Sequence, residues 1–136
     1  MRHRKKNKRF GRHSSHLRAT LSALVCALID RKRIMTSIDK AKLARSLAER
    51  MVTLARKGTL AARRQAIAEL SRPEFVSVLF NEITPQLSGR HGGYTRIVRL
   101  YPRRGDCSEM AILEWIGIAP PQRKKKKKAE SDKIVK

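Results

Sequence analysis

Tyr94-Thr95-Arg96-Ile97-Val98-Arg99-Leu100-Tyr101, then Arg103-Arg104-Gly105-Asp106, then Met110-Ala111-Ile112-Leu113-Glu114-Trp115-Ile116 is the stretch that decides the fold class. Its two outer runs are rich in β-branched, aromatic and aliphatic residues, and Arg103–Asp106 has the composition of a turn, so the reading is strand, turn, strand. The two strands should pair as an antiparallel hairpin with helices covering one face. Arg96 and Arg99 are three apart, and an ideal strand points them to opposite faces. Before the hairpin, Ser88-Gly89-Arg90-His91-Gly92-Gly93 reads as a flexible connector.

Upstream the hydrophobic period changes from two to that of helices. Leu17, Leu21, Leu24 and Leu28 form one helical stripe, widened by Val25 and Ile29, with Ser14 or Ser15 as N-cap. Asp30-Arg31-Lys32-Arg33 ends this helix, and Ile34-Met35-Thr36 could form an edge strand. Thr36 with Asp39 resembles a capping box, with Ser37 as the alternative cap. A second helix follows, with Leu43, Leu47, Met51 and Leu54 on one side, flanked by Ala44, Ala48 and Ala55, and Gly58 as its stop. Leu60–Leu70 reads as an Ala-rich helix. Ser71-Arg72-Pro73-Glu74 reads as the N-cap of another, with Phe75, Val76, Leu79 and Ile83 inward and Pro85 at or beyond its end. Aromatic residues are few, so aliphatic contacts must dominate the core.

Charge is concentrated at the ends. The 136 residues include 33 Lys+Arg against 11 Asp+Glu, a formal net charge of +22. Arg2, Arg4, Lys5, Lys6, Lys8, Arg9, Arg12 and Arg18 lie in residues 1–18 without a single acid, while Arg123, Lys124 to Lys128, Lys133 and Lys136 crowd the other end. Like charges repel and neither end has an apolar set to bury, so each should be disordered when free. The domain reading is a basic arm over 1–13, a globular α/β domain over 14–117 and a basic flexible tail over 118–136. Self-repulsion at this charge calls for a polyanion: RNA, DNA or acidic lipid. No apolar run reaches the roughly 18 residues that a membrane span needs, and nothing near Met1 has the shape of a secretory signal. Cys26 and Cys107 form no C-x-x-C pair. One disulfide is open to them, and two buried free thiols in a reducing compartment is the simpler reading.

The N-terminal arm carries the clearest chemical signal. It mixes Arg and Lys with His3, His13, His16 and Phe10; guanidinium groups bind phosphate in bidentate fashion, and rings stack on unpaired bases. A solubilising tail is the plain alternative, but one without any acid points to nucleic acid. Arg63-Arg64 on a helix, Arg90-His91 beside Gly92-Gly93, and Tyr94, Arg96, Arg99, Arg103 and Arg104 on or near the hairpin form a second group. Glycine lets a backbone approach phosphate closely, although ordinary turns use the same pair. The Lys124–Lys128 run could act as point charges on phosphate, as a nuclear import signal or as a solvated tail. No metal site is expected, because only His13 and His16 stand near each other. No cofactor loop is visible. Asp106 and Glu109 lack a nearby histidine, and Ser14-Ser15-His16 lacks a local carboxylate, so no catalytic set is expected.

Taken in order, Met1-Arg2-His3-Arg4, Arg12-His13-Ser14-Ser15-His16, Lys40-Ala41-Lys42, Leu54-Ala55-Arg56-Lys57-Gly58, Ala62-Arg63-Arg64-Gln65-Ala66, Gly92-Gly93-Tyr94-Thr95-Arg96-Ile97 and Arg103-Arg104-Gly105-Asp106 with Met110-Ala111 closely resemble the bacterial family of large-subunit ribosomal protein seventeen, over residues 1–117. The resemblance implies a two-layer α/β fold, with several helices on a small mixed sheet of about three strands, and so supports Ile34–Thr36 as the third. It implies a non-enzymatic structural constituent of the large subunit, cytoplasmic and ribosome-bound. Its partners would be large-subunit rRNA near the nascent-chain exit and neighbouring ribosomal proteins, with no membrane and no homo-oligomer. RNA penetration by the N-terminus falls, by position, on Arg2, His3, Arg4, Lys5, Lys6, Lys8, Arg9 and Arg12. His13, Ser15, His16, Arg18, Arg63, Arg64, Arg90, His91, Gly92, Gly93, Tyr94, Arg96, Arg99, Arg103 and Arg104 complete the candidate RNA-binding set. From about Ile118 onward the chain departs from the family pattern. A basic DNA-binding protein of the nucleoid type is the alternative reading, although no convincing helix-turn-helix occurs.

Overall fold

The structure, a computed structural model, describes residues 8–121. Expectations for Arg2, His3, Arg4, Lys5, Lys6 and the Lys124–Lys128 run therefore lie outside the described residues. The order is α1 (Ser14–Arg31), β1 (Arg33–Ser37), α2 (Ile38–Lys57), α3 (Leu60–Leu70) and α4 (Pro73–Val78). Helix α4 runs on through a π-helical turn, Leu79–Ile83, into a last turn, α5 (Thr84–Gln86). Strands β2 (Thr95–Arg99) and β3 (Met110–Trp115) close the chain.

The hairpin is present. β2 and β3 pair antiparallel, with Ile97 opposite Leu113, and β1 adds to the other side of β3, with Ile34 opposite the same Leu113. The strand order is β1-β3-β2, so Ile34–Thr36 does lie in an edge strand, and every pairing is antiparallel rather than mixed. Alternation along the strands sets two faces. Ile34, Thr36, Ala111, Leu113, Trp115, Thr95 and Ile97 lie under the helices, while Met35, Val98 and Ile112 face the open side.

Helix α2 is the centre of the packing and touches α1, α3 and all three strands. Its buried line is Ala41, Ala44, Ala48, Met51, Val52, Leu54 and Ala55. Leu43 and Leu47, expected at the middle of the inward stripe, sit at its margin, and the alanines hold the middle. A helix squeezed among several neighbours approaches them most closely through methyl groups, which explains the exchange. Likewise α1 buries Val25, Cys26, Leu28 and Ile29 fully, while Leu17, Leu21 and Leu24 are only half-buried. Leu17 and Leu21 meet Leu43 and Leu47 across a shallow groove of about 230 Å³. Tyr94 and Trp115 are the only buried aromatic residues among those described, so the core is aliphatic as expected.

Long-range hydrogen bonds satisfy buried polar groups. The Trp115 indole N–H donates to the Leu28 carbonyl at 3.0 Å. Ser22 Oγ donates at 2.7 Å to the carbonyl of Leu70, the last residue of α3, where no intrahelical donor remains.

Helix ends follow the sequence less closely than helix centres. His13, not a serine, is the N-cap of α1; Ser14 and Ser15 are its first helical residues and no side chain caps it. Ser37 takes the cap of α2, again without a side-chain bond, and Thr36 stays in the strand. Thr59 does cap α3, accepting from the Ala62 N–H at 3.2 Å. Gly58 ends α2 in a left-handed conformation, φ +65°, as its position predicts. Ser71 is no N-cap: it closes α3 with φ +55° and donates its N–H to Ile67 at 2.7 Å, leaving Arg72 before Pro73 to start α4. Pro85 falls inside the last turn rather than beyond it. It lacks an N–H, and the π-helical turn just before it lets the Thr84 N–H and hydroxyl both reach the Leu79 carbonyl.

Candidate nucleic-acid interface

Positive charge here is sorted by whether a carboxylate answers it. Lys8 pairs with Asp39 at 2.7 Å, Arg45 with Glu49 at 3.2 Å, Arg50 with Glu69 at 3.0 Å and Lys32 with Glu82 at 3.7 Å. Glu114 is flanked by Arg33, at 3.0 Å, and Arg96. Arg103 grips Asp106 through both Nε and Nη2. Arg9, Arg18, Arg64, Arg90, Arg99 and Arg104 are exposed and make no ion pair among the described residues. Exposed pairs contribute only about 0–1 kcal/mol each, so pairing matters here mainly by deciding which cations are left over.

At the arm's described end, Phe10 and Gly11 both have positive φ, 52° and 68°, and the Arg12 N–H donates back to the Arg9 carbonyl at 3.0 Å. This tight reversal delivers the chain to His13, whose carbonyl accepts the first α1 bond from Leu17 at 2.9 Å. His13, Ser15, His16 and Arg18 are exposed on the opening turns of α1. Arg12 lies half-buried, and its Nε is enclosed without a hydrogen-bond partner among the described residues. Such an orphaned donor costs about 1–3 kcal/mol unless an acceptor meets it.

The connector before β2 is more ordered than its composition suggests. Arg56, in the last turn of α2, donates from Nη1 to the Arg90 carbonyl at 2.7 Å and to the Tyr94 hydroxyl at 2.8 Å. Tyr94 is buried, and its carbonyl accepts from the Ile116 N–H at 3.0 Å. Both ends of Arg90-His91-Gly92-Gly93 are thus held, while the side chains of Arg90 and His91 stay exposed. Gly93 has φ +60°, a conformation that a side chain would strain. Tyr94, expected to face RNA, is part of this internal support instead.

Arg96 and Arg99 do take opposite sides of β2. Arg96 joins Glu114 on the open face, and Arg99 is exposed on the helix-facing side. Thr95 beside them donates its hydroxyl to Glu49 at 3.0 Å. On α3, Arg63 lies over the Phe80 ring, 5.0 Å from its centre, whereas Arg64 is exposed. The Arg103–Asp106 turn is self-contained. The Arg103 guanidinium, then the Ser108 N–H at 3.2 Å, hold the Asp106 carboxyl down at about 2. Cys26 is buried and its thiol is pushed up by that burial, while Cys107 is exposed in the turn region; both are free. The expectation of two buried thiols therefore fails for Cys107, which sits in a polar loop outside the core.

Sequence reading missed Arg56. Its partners lie 34 and 38 residues away in the chain. The sole local signal is a long cation placed just before a C-capping glycine.

The fold and this distribution of charge define a basic α/β domain in which arginine exceeds its own carboxylates. A protein-family model described as "Ribosomal protein L17" matches residues 20–116. The large ribosomal subunit protein bL17 of Methylacidiphilum infernorum is 43% identical over 96% of this chain and 100% of its own length. Its counterpart in Symbiobacterium thermophilum is 48% identical over 82% of this chain and 98% of its own, and that in Fusobacterium nucleatum 45% identical over 85% and 100%. The chain belongs to the ribosomal protein L17 family, whose members are structural components rather than enzymes.

Proposed function

We propose that the chain is a structural constituent of the large ribosomal subunit that binds and stabilises folded large-subunit rRNA. It would act in the cytoplasm, ribosome-bound, beside other ribosomal proteins. The observation that carries this reading is a group of exposed arginines, among them Arg9, Arg18, Arg64, Arg90, Arg99 and Arg104, that make no ion pair among the described residues. Relatives named as large-subunit proteins support the subunit. The nascent-chain exit side is taken from the family resemblance alone.

The division of labour follows the chain. The domain over 14–117 docks by shape and phosphate contact, because side chains cannot read the deep, narrow A-form groove. His13, Ser15, His16 and Arg18 sit at one end of it; Arg64, Arg90 to Gly93, Arg99 and Arg104 lie elsewhere on its surface, while Arg63, Arg96 and Arg103 are engaged by Phe80, Glu114 and Asp106. The arm over 1–13 neutralises phosphate in crevices, through Arg2, His3, Arg4, Lys5, Lys6, Lys8, Arg9 and Arg12. The enclosed Arg12 Nε, without a partner among the described residues, would gain an acceptor. The tail over 118–136 adds further charge. If the seven Lys and Arg of the arm each displace a counterion, affinity should fall by about five decades per decade of salt.

Sedimentation of a lysate through sucrose at low and moderate salt tests this. Co-sedimentation with the large subunit at both is expected. A chain that runs free, or with DNA, would overturn the reading.

A further inference from the structure

The open face of the sheet stands apart from the rest of this basic surface. Three cross-strand rows lie on it. Met35, Ile112 and Val98 make one row, and Ser37, Met110 and Leu100 the next. Arg33, Glu114 and Arg96 make the third. No helix among the described residues covers them: Met35 is 66% exposed and Val98 40%. Glu114 is nonetheless only 7% exposed, because a guanidinium closes over it from each side.

We propose that this face, floored by Met35, Val98 and Ile112, docks a second protein of the same assembly, one that offers an aliphatic surface bordered by a carboxylate. The proposal rests on the ribosomal reading above.

RNA suits the face poorly. The row of Met35, Ile112 and Val98 offers phosphate no donor, and the carboxylate in the third row repels phosphate while engaging both neighbouring arginines. Arg33 and Arg96 remain about half-exposed and keep outward N–H groups, which an incoming carboxylate at the patch rim can take. A second copy of the chain suits it no better. Two chains of +22 repel. Three strands about 4.8 Å apart, with rows about 6.7 Å apart, give a footprint of about 300 Å². A free-standing pair needs about 800 Å² from each partner. A patch this size suits a neighbour that RNA already holds in place. The largest apolar patch of a typical monomer is about 300–600 Å² and is often functional.

The test places a photoreactive benzoyl-phenylalanine at Met35, Val98 or, as reference, His91 in the full chain, assembled into large subunits and irradiated. The Met35 and Val98 probes should give an adduct with a different polypeptide that survives nuclease and is lost to protease; His91 should give an adduct with RNA. With the probe at Leu100, the same polypeptide adduct should form and should disappear in the Met35→Lys/Val98→Lys chain, while that chain still joins the subunit. An RNA adduct alone from Met35 and Val98, an adduct of twice the chain's mass, or no adduct while His91 still crosslinks RNA would each overturn the docking proposal and leave the ribosomal reading standing. A chain that never enters the subunit, with no RNA adduct from His91, overturns both.

Discussion

Two loops bracket β2, and each carries arginines, but they spend them differently. After the strand, Arg103 is held by Asp106, three residues away, so that turn neutralises one of its own cations. Before the strand, Arg90 contributes its carbonyl to the fold, accepting from Arg56 on α2, and its guanidinium is exposed with no ion pair among the described residues. Counting arginines would rank the second loop, with Arg103 and Arg104, above the first, with Arg90. Tracing their partners leaves one guanidinium in each, Arg90 and Arg104, without an ion pair among the described residues, and separates a turn that organises itself from a loop that is braced from outside.

Both loops spring from the same sheet, so the comparison first requires that the sheet's floor stay intact. Trp115→Ala should cause the largest loss, about 3–5 kcal/mol of stability, because the ring is buried and its N–H satisfies Leu28. Denaturant unfolding reads this, and both loops should loosen together. Arg56→Met should be smaller and selective. Two charge-assisted bonds in a partly exposed setting suggest about 1–2 kcal/mol. Hydrogen exchange should quicken at 90–94 and stay unchanged at 103–108. Equal loosening of both loops would show that Arg56 is not a local brace.

The smallest effect separates the loops by pH. Asp106 has its folded value depressed from 3.8 to about 2. The turn's support from this carboxylate is therefore complete above about pH 4 and is lost as the pH falls through about 2. Titration of the Ser108 amide by NMR should report that midpoint, with Arg90 to Gly93 unaffected. A midpoint near 3.8 would mean that Arg103 does not hold the carboxylate in solution.

Much of this molecule was legible from local pattern. The β2–β3 hairpin, the third strand at Ile34–Thr36, the Gly58 stop and the opposite facing of Arg96 and Arg99 all follow from periodicity and short-range sterics. What sequence could not give depends on which partner wins among several. Ser71 could have capped the following helix but is needed to close α3. Leu43 and Leu47 yield the centre of α2 to alanines because the helix is crowded on several sides. Arg56 looked like an ordinary helix-terminal cation until the chain brought Arg90 and Tyr94 to it.

The central claim is that unpaired cations, not total cations, carry RNA binding. The most direct test is the salt dependence of affinity for large-subunit rRNA, measured for the parent chain, Arg90→Ala and Arg103→Ala. The account predicts that Arg90→Ala flattens the log–log slope by about 0.7–0.9, one phosphate's share, while Arg103→Ala leaves the slope at the parent value. Equal flattening by both substitutions, or none by Arg90→Ala, would contradict it.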